Sequence, residues 1–418
     1  MKSIKIGKNQ AIFTTLGSLL LATSSAYATD GLIEELKRFN ISAGAWANGG
    51  ITYNATDPED NFNGPVTFGD RSGEFQLNQL NLFIQKAVAT EGKNFDVGAR
   101  FDVMFGTDAA FTQAYGAYTG NNAGWDLDLL RDKSGSPDSN RFYGLAVPQA
   151  YLEMYVPVGN GLNVKVGHFY TPIGYEVVTA PDNFFYTHAY TMQYGEPFTH
   201  TGILGNYAVN SSLSLMGGVV TGSETGGWDG NFDAQLGNWA GIMGATYTLP
   251  NGTSLNVSGT YGAQSETNNA DWSMYSIVLK HNFNAKTHFV LQHDHGFADN
   301  VATFTAIEDA EWYGVNSHLY YDVKDDLSVG IRAEWFRDQN GFRVYAPGRP
   351  FQGGALPPAS YYELTAGVTW KPKTWLTVRP NVRYDWVEDT SGTTGSLPFD
   401  AGNKDNQFTF STDVTVKF

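Results

Sequence analysis

Cysteine is absent from the 418 residues. The chain therefore has no disulfide framework, thiolate nucleophile or cysteine-bound metal. Basic residues are scarce: 26 Lys and Arg stand against 42 Asp and Glu, a formal net charge of −16. So acidic a chain is repelled by phosphate backbones, which excludes nucleic acid as a partner. Long apolar runs are missing as well. Beyond the N-terminal region no stretch approaches the ~18 consecutive apolar residues of a membrane helix, and mean hydropathy is −0.29. What the chain does have is 14% aromatic residues and 47 glycines, the two ingredients of strands joined by tight turns. A membrane β-barrel escapes hydropathy scans because only alternate residues meet lipid.

The N-terminus carries an export pattern. "MKSIKIGK" holds three lysines and no acid, "AIFTTLGSLLLA" is apolar but too short to span a bilayer, and Ala26-Tyr27-Ala28 supplies a small–x–small cleavage site. Residues 1–28 read as a removed signal peptide, with a retained anchor helix as the alternative. In the lead-in 29–39, Leu32, Ile33, Leu36 and Phe39 fall at helical spacing. A short periplasmic helix, a partial plug or an unordered lead-in all fit it.

From residue 40 onward the period is two. In "FDVGARFDVMFG", Phe95, Val97, Ala99, Phe101, Val103 and Phe105 share one face, and Asp96, Gly98, Arg100, Asp102 and Met104 the other. A helix would mix these sets. The same alternation predicts sixteen strands near 40–53, 76–89, 95–106, 148–157, 162–171, 201–209, 212–222, 238–249, 253–263, 272–283, 287–296, 310–323, 327–338, 361–371, 375–388 and 406–418. Their connections alternate in length. Short ones such as "EGKN" (91–94), "GNG" (159–161) and "KDD" (324–326) separate long polar ones at 54–75, 107–147, 172–200, 223–237, 297–309, 339–360 and 389–405, with a shorter one near 264–271. The expectation is an all-β fold: a transmembrane, antiparallel, up-and-down barrel over 40–418 with short periplasmic turns and long extracellular loops. A soluble sandwich also alternates, but it has no reason to order its loops by length.

In lipid an unpaired backbone group costs several kcal/mol, so the sheet must close. The final strand "NQFTFSTDVTVKF" then has to pair with the first. Sixteen strands leave an aqueous lumen, lined by the polar parity. That parity places Arg100 and Asp102 on one wall, Arg332 and Glu334 on another, and Arg379, Asn381, Arg383 and Asp385 on a third, with Glu153, Lys165, Lys280 and Glu363 also inward. Mixed signs admit a transverse field that orients solutes, or pairing that stiffens the wall, and pairing is the expectation for most of them. The 172–200 loop holds Tyr175, Phe184, Phe185, Tyr186, Tyr190, Tyr194 and Phe198. So apolar a loop belongs in the mouth as a constriction or on the rim as a cap. Tyr313, Tyr321, Trp335, Trp370 and Tyr384 suit the interface girdles. Asp57, Glu59, Asp60, Asp126, Asp128, Asp132 and Asp138 make the outer loops acidic, which suits a solvated surface or cation bridging to lipopolysaccharide. His293 and His295 share a strand face without a third ligand, so no metal site and no cofactor are expected, and His188 and His200 have no assigned role.

Three stretches, "VGHFYTPIGYEVVTAPDNFFYTHAYTMQYGEPFTHTGILGNY" at 166–207, "GIRAEWFRDQNGFR" at 330–343, and "YYELTAGVTWKPKTWLTVRPNVRYDW" running on to the C-terminal "FTFSTDVTVKF", together resemble the OmpL-like β-barrel porin-2 family of Gram-negative bacteria. The resemblance covers essentially the whole mature chain. One departure is Asn381, where the family pattern leads one to expect an acid after "RP". The resemblance implies an outer-membrane channel protein and identifies no solute. The expected function is passive diffusion of small hydrophilic solutes, with outer-membrane lipid, lipopolysaccharide and the barrel-assembly machinery as partners. By analogy with porins of this size, a homotrimer is the expected assembly. Phe418 resembles the terminal aromatic by which such barrels are recognised for assembly. The rival readings are a barrel hydrolase, which would need a nucleophile–His or Asp–His constellation, and a surface adhesin acting through its loops.

Overall fold

The computed structural model describes residues 36, 38–90, 93–114, 142–222, 239–263, 271–348, 354–388, 390 and 396–418. The signal segment 1–28 lies outside them. Of the lead-in, Leu36 and Arg38 are helical, and the Phe39 N–H donates to the Leu36 carbonyl at 3.0 Å.

The strands are β1 Ile41–Asn54, β2 Phe75–Lys86, β3 Asp96–Gly106, β4 Gly144–Val156, β5 Leu162–Tyr170, β6 Thr199–Ala208, β7 Leu213–Thr221, β8 Trp239–Thr248 and β9 Ser254–Ala263. They continue as β10 Asp271–Asn282, β11 Thr287–Ala302, β12 Ile307–Lys324, β13 Leu327–Asp338, β14 Tyr345–Ala346, β15 Gly354–Ala355, β16 Ala359–Lys373, β17 Leu376–Glu388 and β18 Asn406–Lys417. All but β14 and β15 join in one closed barrel, each strand antiparallel to its sequence neighbours and β1 paired with β18. The expected sixteen-stranded barrel is what forms, because alternation gives every strand an apolar side for lipid and a polar side for the lumen.

β13 shows the division. Val329, Ile331 and Trp335 are 38%, 50% and 36% exposed on the outside, while Arg332 and Glu334, between them, are 0% and 6%. Outside, aromatic residues gather at two heights. Tyr313 lies 5.6 Å from Trp335, and Tyr362 stacks on Trp386 at 5.1 Å, towards the long-loop rim. Tyr321, Trp370 and Phe283 stand exposed towards the turn rim. These belts match the two interfaces of a bilayer.

The C-terminal stretch is the closing strand. β18 pairs with β1 from Trp46↔Lys417 to Asn54↔Thr409. The Phe418 N–H then donates to the Ala45 carbonyl at 2.9 Å, so pairing continues to the last residue.

Three differences from the sequence expectation have physical causes. The 297–309 connection is not a long loop: β11 runs on to Ala302, β12 starts at Ile307, and the turn is 303–306. There the Thr303 N–H donates to the Ala306 carbonyl at 2.8 Å. One face of this hairpin is buried at Ala298, Val301 and Ala310, and the register shift between Ala298 and Val301 interrupts the alternation while the ladder continues. β4 begins at Gly144, upstream of Pro148, because the register slips between Asp102 and Met104 of β3 opposite that segment. A bulge is where a strand accommodates proline. Finally, β14 and β15 form a two-residue ribbon inside the 339–358 loop, too short to leave a periodic signal.

Candidate functional site: the lumen and its inner loop

The 171–198 connection between β5 and β6 does not sit on the rim. It enters the barrel and docks on the inward faces of β11–β13 and β16–β18, and on β2. A loop inside a barrel hides its own N–H and C=O groups, and each needs a partner. The wall supplies them through side chains that reach past their own ion pairs.

Arg332 is the centre of this docking. Its Nε donates to Glu363 Oε1 at 2.6 Å, and its Nη1 to Glu176 Oε1 at 2.6 Å and to the Thr187 carbonyl at 2.8 Å. Arg383 donates from Nε to Asp385 Oδ1 at 2.8 Å and from Nη1 to the His188 carbonyl at 2.5 Å. Arg379 pairs with Asp413 and donates from Nη1 to the carbonyls of Ala180 and Asn183 at 2.7 and 2.8 Å. The five donors of a guanidinium suit this double duty, since one edge can satisfy a carboxylate while the other caps a loop carbonyl.

The acids on the wall work in the opposite sense. Glu334 accepts the backbone N–H groups of Tyr190 and Thr191, both at 2.6 Å. Asp385 accepts the Tyr190 hydroxyl at 2.9 Å. On β2, Gln79 donates to the Val178 carbonyl at 2.7 Å and accepts the Ala180 N–H at 3.0 Å, and Asn78 accepts the Tyr186 hydroxyl at 2.8 Å. On β16 the Thr369 hydroxyl donates to the Phe184 carbonyl at 2.7 Å, and on β12 Trp312 Nε1 donates to the Gly195 carbonyl at 3.2 Å.

The aromatic residues of the loop fill the space these contacts enclose. Phe185, Tyr186, Tyr190 and Tyr194 are each 3% exposed or less. Phe184 stacks on Tyr320 at 4.4 Å between ring centroids. Its ring fits because position 330 is glycine: a Cβ there would stand 2.7 Å from Phe184 and 2.8 Å from Tyr320. Tyr175 donates its hydroxyl to that of Tyr320 at 3.4 Å, and Phe198 packs on the cluster around Phe68, Phe111 and Met192.

Two loop carboxyls are tuned in opposite directions. Burial pushes the Glu176 carboxyl up, but Arg332 and His188 outweigh it and hold the group well below the usual range. Burial raises Glu196 well above the usual range, reinforced by Asp294. Glu196 and Asp294 share the Gln292 amide, which lies 3.0 Å from either Asp294 oxygen.

Among the positions expected to face inward, Asp102, Arg332, Glu334, Glu363, Arg379, Asn381, Arg383 and Asp385 are buried. Glu363 bridges Arg332 and Arg383. Arg100 clamps Asp102 through Nε and Nη2 at 2.7 and 2.9 Å, under the Phe83 ring. Asn381 donates to the Arg379 carbonyl at 3.4 Å, and Arg379 takes its carboxylate from Asp413 on the neighbouring strand, so the missing acid after "RP" removes no partner. Sequence reasoning missed Glu176, Gln79, Asn78 and Gly330. Their roles depend on where a distant loop lands, which strand parity does not encode.

The wall from β4 to β10 is different in its periplasmic half. Ser214 and Lys280 are exposed, and Lys165, Met216, Thr246 and Asn256 are half-buried. Glu153 accepts from Asn163 Nδ2 at 2.9 Å and faces Lys165 across the strands. Higher up, Leu204, Val220, Ile242 and Met274 are buried in one apolar cluster with Ile173, Tyr190 and Tyr194 of the loop.

His293 and His295 face outward, around the Tyr275 hydroxyl at 3.4 and 3.3 Å, and His295 Nε2 lies 2.7 Å from Glu311. His200 contacts the Thr171 hydroxyl at 2.9 Å. No group of three or more His, Asp or Glu residues that could hold a metal occurs among the described residues. Asp57, Glu59 and Asp60 lie in the β1–β2 loop, whereas Asp126, Asp128, Asp132 and Asp138 fall outside the described residues.

The model of the beta-barrel porin-2, OmpL-like family matches residues 40–418, which is the whole barrel. This chain belongs to that family. It is a porin, a channel protein of the bacterial outer membrane. No curated protein matches the sequence. Solved structures share the fold at low identity. The anion-selective porin from Comamonas acidovorans superimposes with TM-score 0.57 at 9% identity, covering 90% of this chain and 99% of that one. The outer-membrane channel DcaP of Acinetobacter baumannii gives 0.54 at 11%, covering 90% and 97%. The trimer form of Vibrio cholerae OmpT gives 0.53 at 10%, covering 90% and 99%. At such identities these porins are similar to this one in fold.

Proposed function

We propose that this porin passes small hydrophilic solutes along the β4–β10 side of its lumen, and that the 171–198 loop sets the narrowest cross-section. The observation that carries this reading is the loop's anchorage. Arg332, Arg379 and Arg383 fix it by backbone carbonyls to one side of the barrel, which leaves the opposite periplasmic half lined by small and polar side chains. Radius and lining charge then decide what passes. Channel activity needs no chemistry, and family and fold both favour a non-enzymatic role.

Planar-bilayer recording tests it. The purified protein should give stable ohmic steps, and deletion of 180–195 should raise the single-channel conductance. Unchanged conductance in the deletion would remove the loop from the constriction.

Three further roles belong to this reading. Phe418 serves as an assembly signal for the barrel-assembly machinery. The aromatic belts hold the barrel in outer-membrane lipid, with lipopolysaccharide at the loop rim. The trimer form of the Vibrio cholerae neighbour supports a homotrimer. Removing Phe418 should lower the yield of inserted barrel while leaving the conductance of those that insert unchanged.

A further inference from the structure

We infer that the open side of the lumen is an anion site, with Lys280 as its selectivity-determining residue and Lys165 as a weaker second contributor. The inference rests on the channel reading above and adds a sign to it. The chain as a whole is strongly acidic, at −16, so its overall charge points the other way.

The argument begins with which charges water can reach. Five carboxylates where the loop meets the wall are matched. Glu363 and Glu176 sit on Arg332, Asp385 on Arg383 and Asp413 on Arg379, while Glu334 is capped by two loop N–H groups. Each of these acids is 7% exposed or less. Paired and covered, they present little net field to a solute on the other side of the barrel.

The two lysines of the uncovered wall are arranged differently. Lys280 on β10 is exposed, and its ammonium lies 4.9 Å from the centre of the Tyr175 ring. Lys165 on β5 holds its ammonium 4.8 Å from the centre of the Tyr151 ring. A ring face positions a cation without cancelling its charge. Among the described residues neither lysine has a carboxylate within ion-pair distance, and only Lys165 has an acid, Glu153, opposite it in register. Lys280 therefore carries the larger uncompensated charge, and it carries it at Tyr175, where the constricting loop meets the wall.

A fixed positive charge at a narrowing concentrates anions there and repels cations. The class of ligand follows: small inorganic anions, and hydrophilic solutes bearing a carboxylate or phosphate. At about 0.1 M salt the screening length is about 10 Å, comparable to a pore's width, and at 1 M it is about 3 Å. The preference should accordingly be strong in dilute salt and fade in concentrated salt.

The test is the zero-current potential of the full mature chain in a planar bilayer under a potassium chloride gradient centred near 0.1 M. The wild type should give a chloride-to-potassium permeability ratio above one. Lys280→Glu should bring the ratio below one, Lys280→Gln should lower it by a smaller step, and Lys165→Gln should lower it less again. Lys93→Gln, in the exposed β2–β3 turn, should match the wild type. Should Lys280→Glu fail to insert, Lys280→Gln alone decides the matter. A cation-selective wild type, an unchanged ratio in both Lys280 variants, or an equal shift from Lys93→Gln would overturn the assignment while leaving the channel reading intact. A wild type that inserts but yields no conductance steps would overturn the channel reading itself.

Discussion

The two sides of this barrel use inward polar residues for opposite ends. On β13 and β16–β18 they are charged, paired and sealed: Arg332, Glu363, Arg383, Asp385 and Asp413 are each 1% exposed or less. On the periplasmic half of β4–β10 they are small or singly charged and meet water: Ser214, Thr246, Asn256 and Lys280. One side is built to hold a loop and the other to leave a space. The lesson is that charge inside a pore is not by itself selectivity, because most of it here is spent on seating backbone.

The sharpest way to break this contrast is to remove the central anchor. Arg332→Ala leaves buried Glu176 with His188 alone and buried Glu363 with Arg383 alone, and breaking such a buried pair costs roughly 3–5 kcal/mol. The thermal unfolding midpoint should fall, and the conductance steps should become larger and noisier as the loop unseats. An unchanged midpoint would mean that the loop is not held from this side.

A milder probe adds bulk to each side in turn. Thr409 is 1% exposed, between Asn54 and Arg383 on the neighbouring strands, so Thr409→Trp should cost roughly 1–3 kcal/mol through overpacking. Asn256→Trp, on the open side, should leave the unfolding midpoint near the wild-type value and lower the conductance. The reverse result would exchange the roles of the two sides.

The smallest effect concerns pH. The Glu176 carboxyl is held well below its unfolded range: burial opposes this, and Arg332 and His188 prevail. A depressed carboxyl contributes stability above its unfolded value and loses it as pH falls through the folded value. The stability gap between the wild type and Glu176→Gln should therefore hold steady at neutral pH and close only when pH drops well below the ordinary carboxylate range. A gap that closed near neutrality would contradict this pairing.

Much of this was legible in the sequence. Alternation alone separated Arg332 and Glu334 from Ile331 and Trp335, and placed the C-terminal strand as the closing one, because a sheet in lipid ties parity to polarity. The aromatic loop announced its burial by its composition. The rest was out of reach for a physical reason. Which carbonyl Arg379 caps, or why position 330 must be glycine, depends on contacts between segments about 150 to 200 residues apart. The 297–309 hairpin does not show in the sequence because the register shift between Ala298 and Val301 breaks the two-residue alternation.

The absence of cysteine gives the most direct measurement of the central contrast. Single cysteines at Asn256→Cys and Ser411→Cys would be the only thiols in their chains. A charged methanethiosulfonate reagent added to an open channel should reduce the current at Asn256→Cys and leave Ser411→Cys unaffected, because Ser411 is 0% exposed, its hydroxyl 3.1 Å from that of Thr52. Equal block at both positions, or block at Ser411→Cys alone, would contradict a lumen sealed on one side and open on the other.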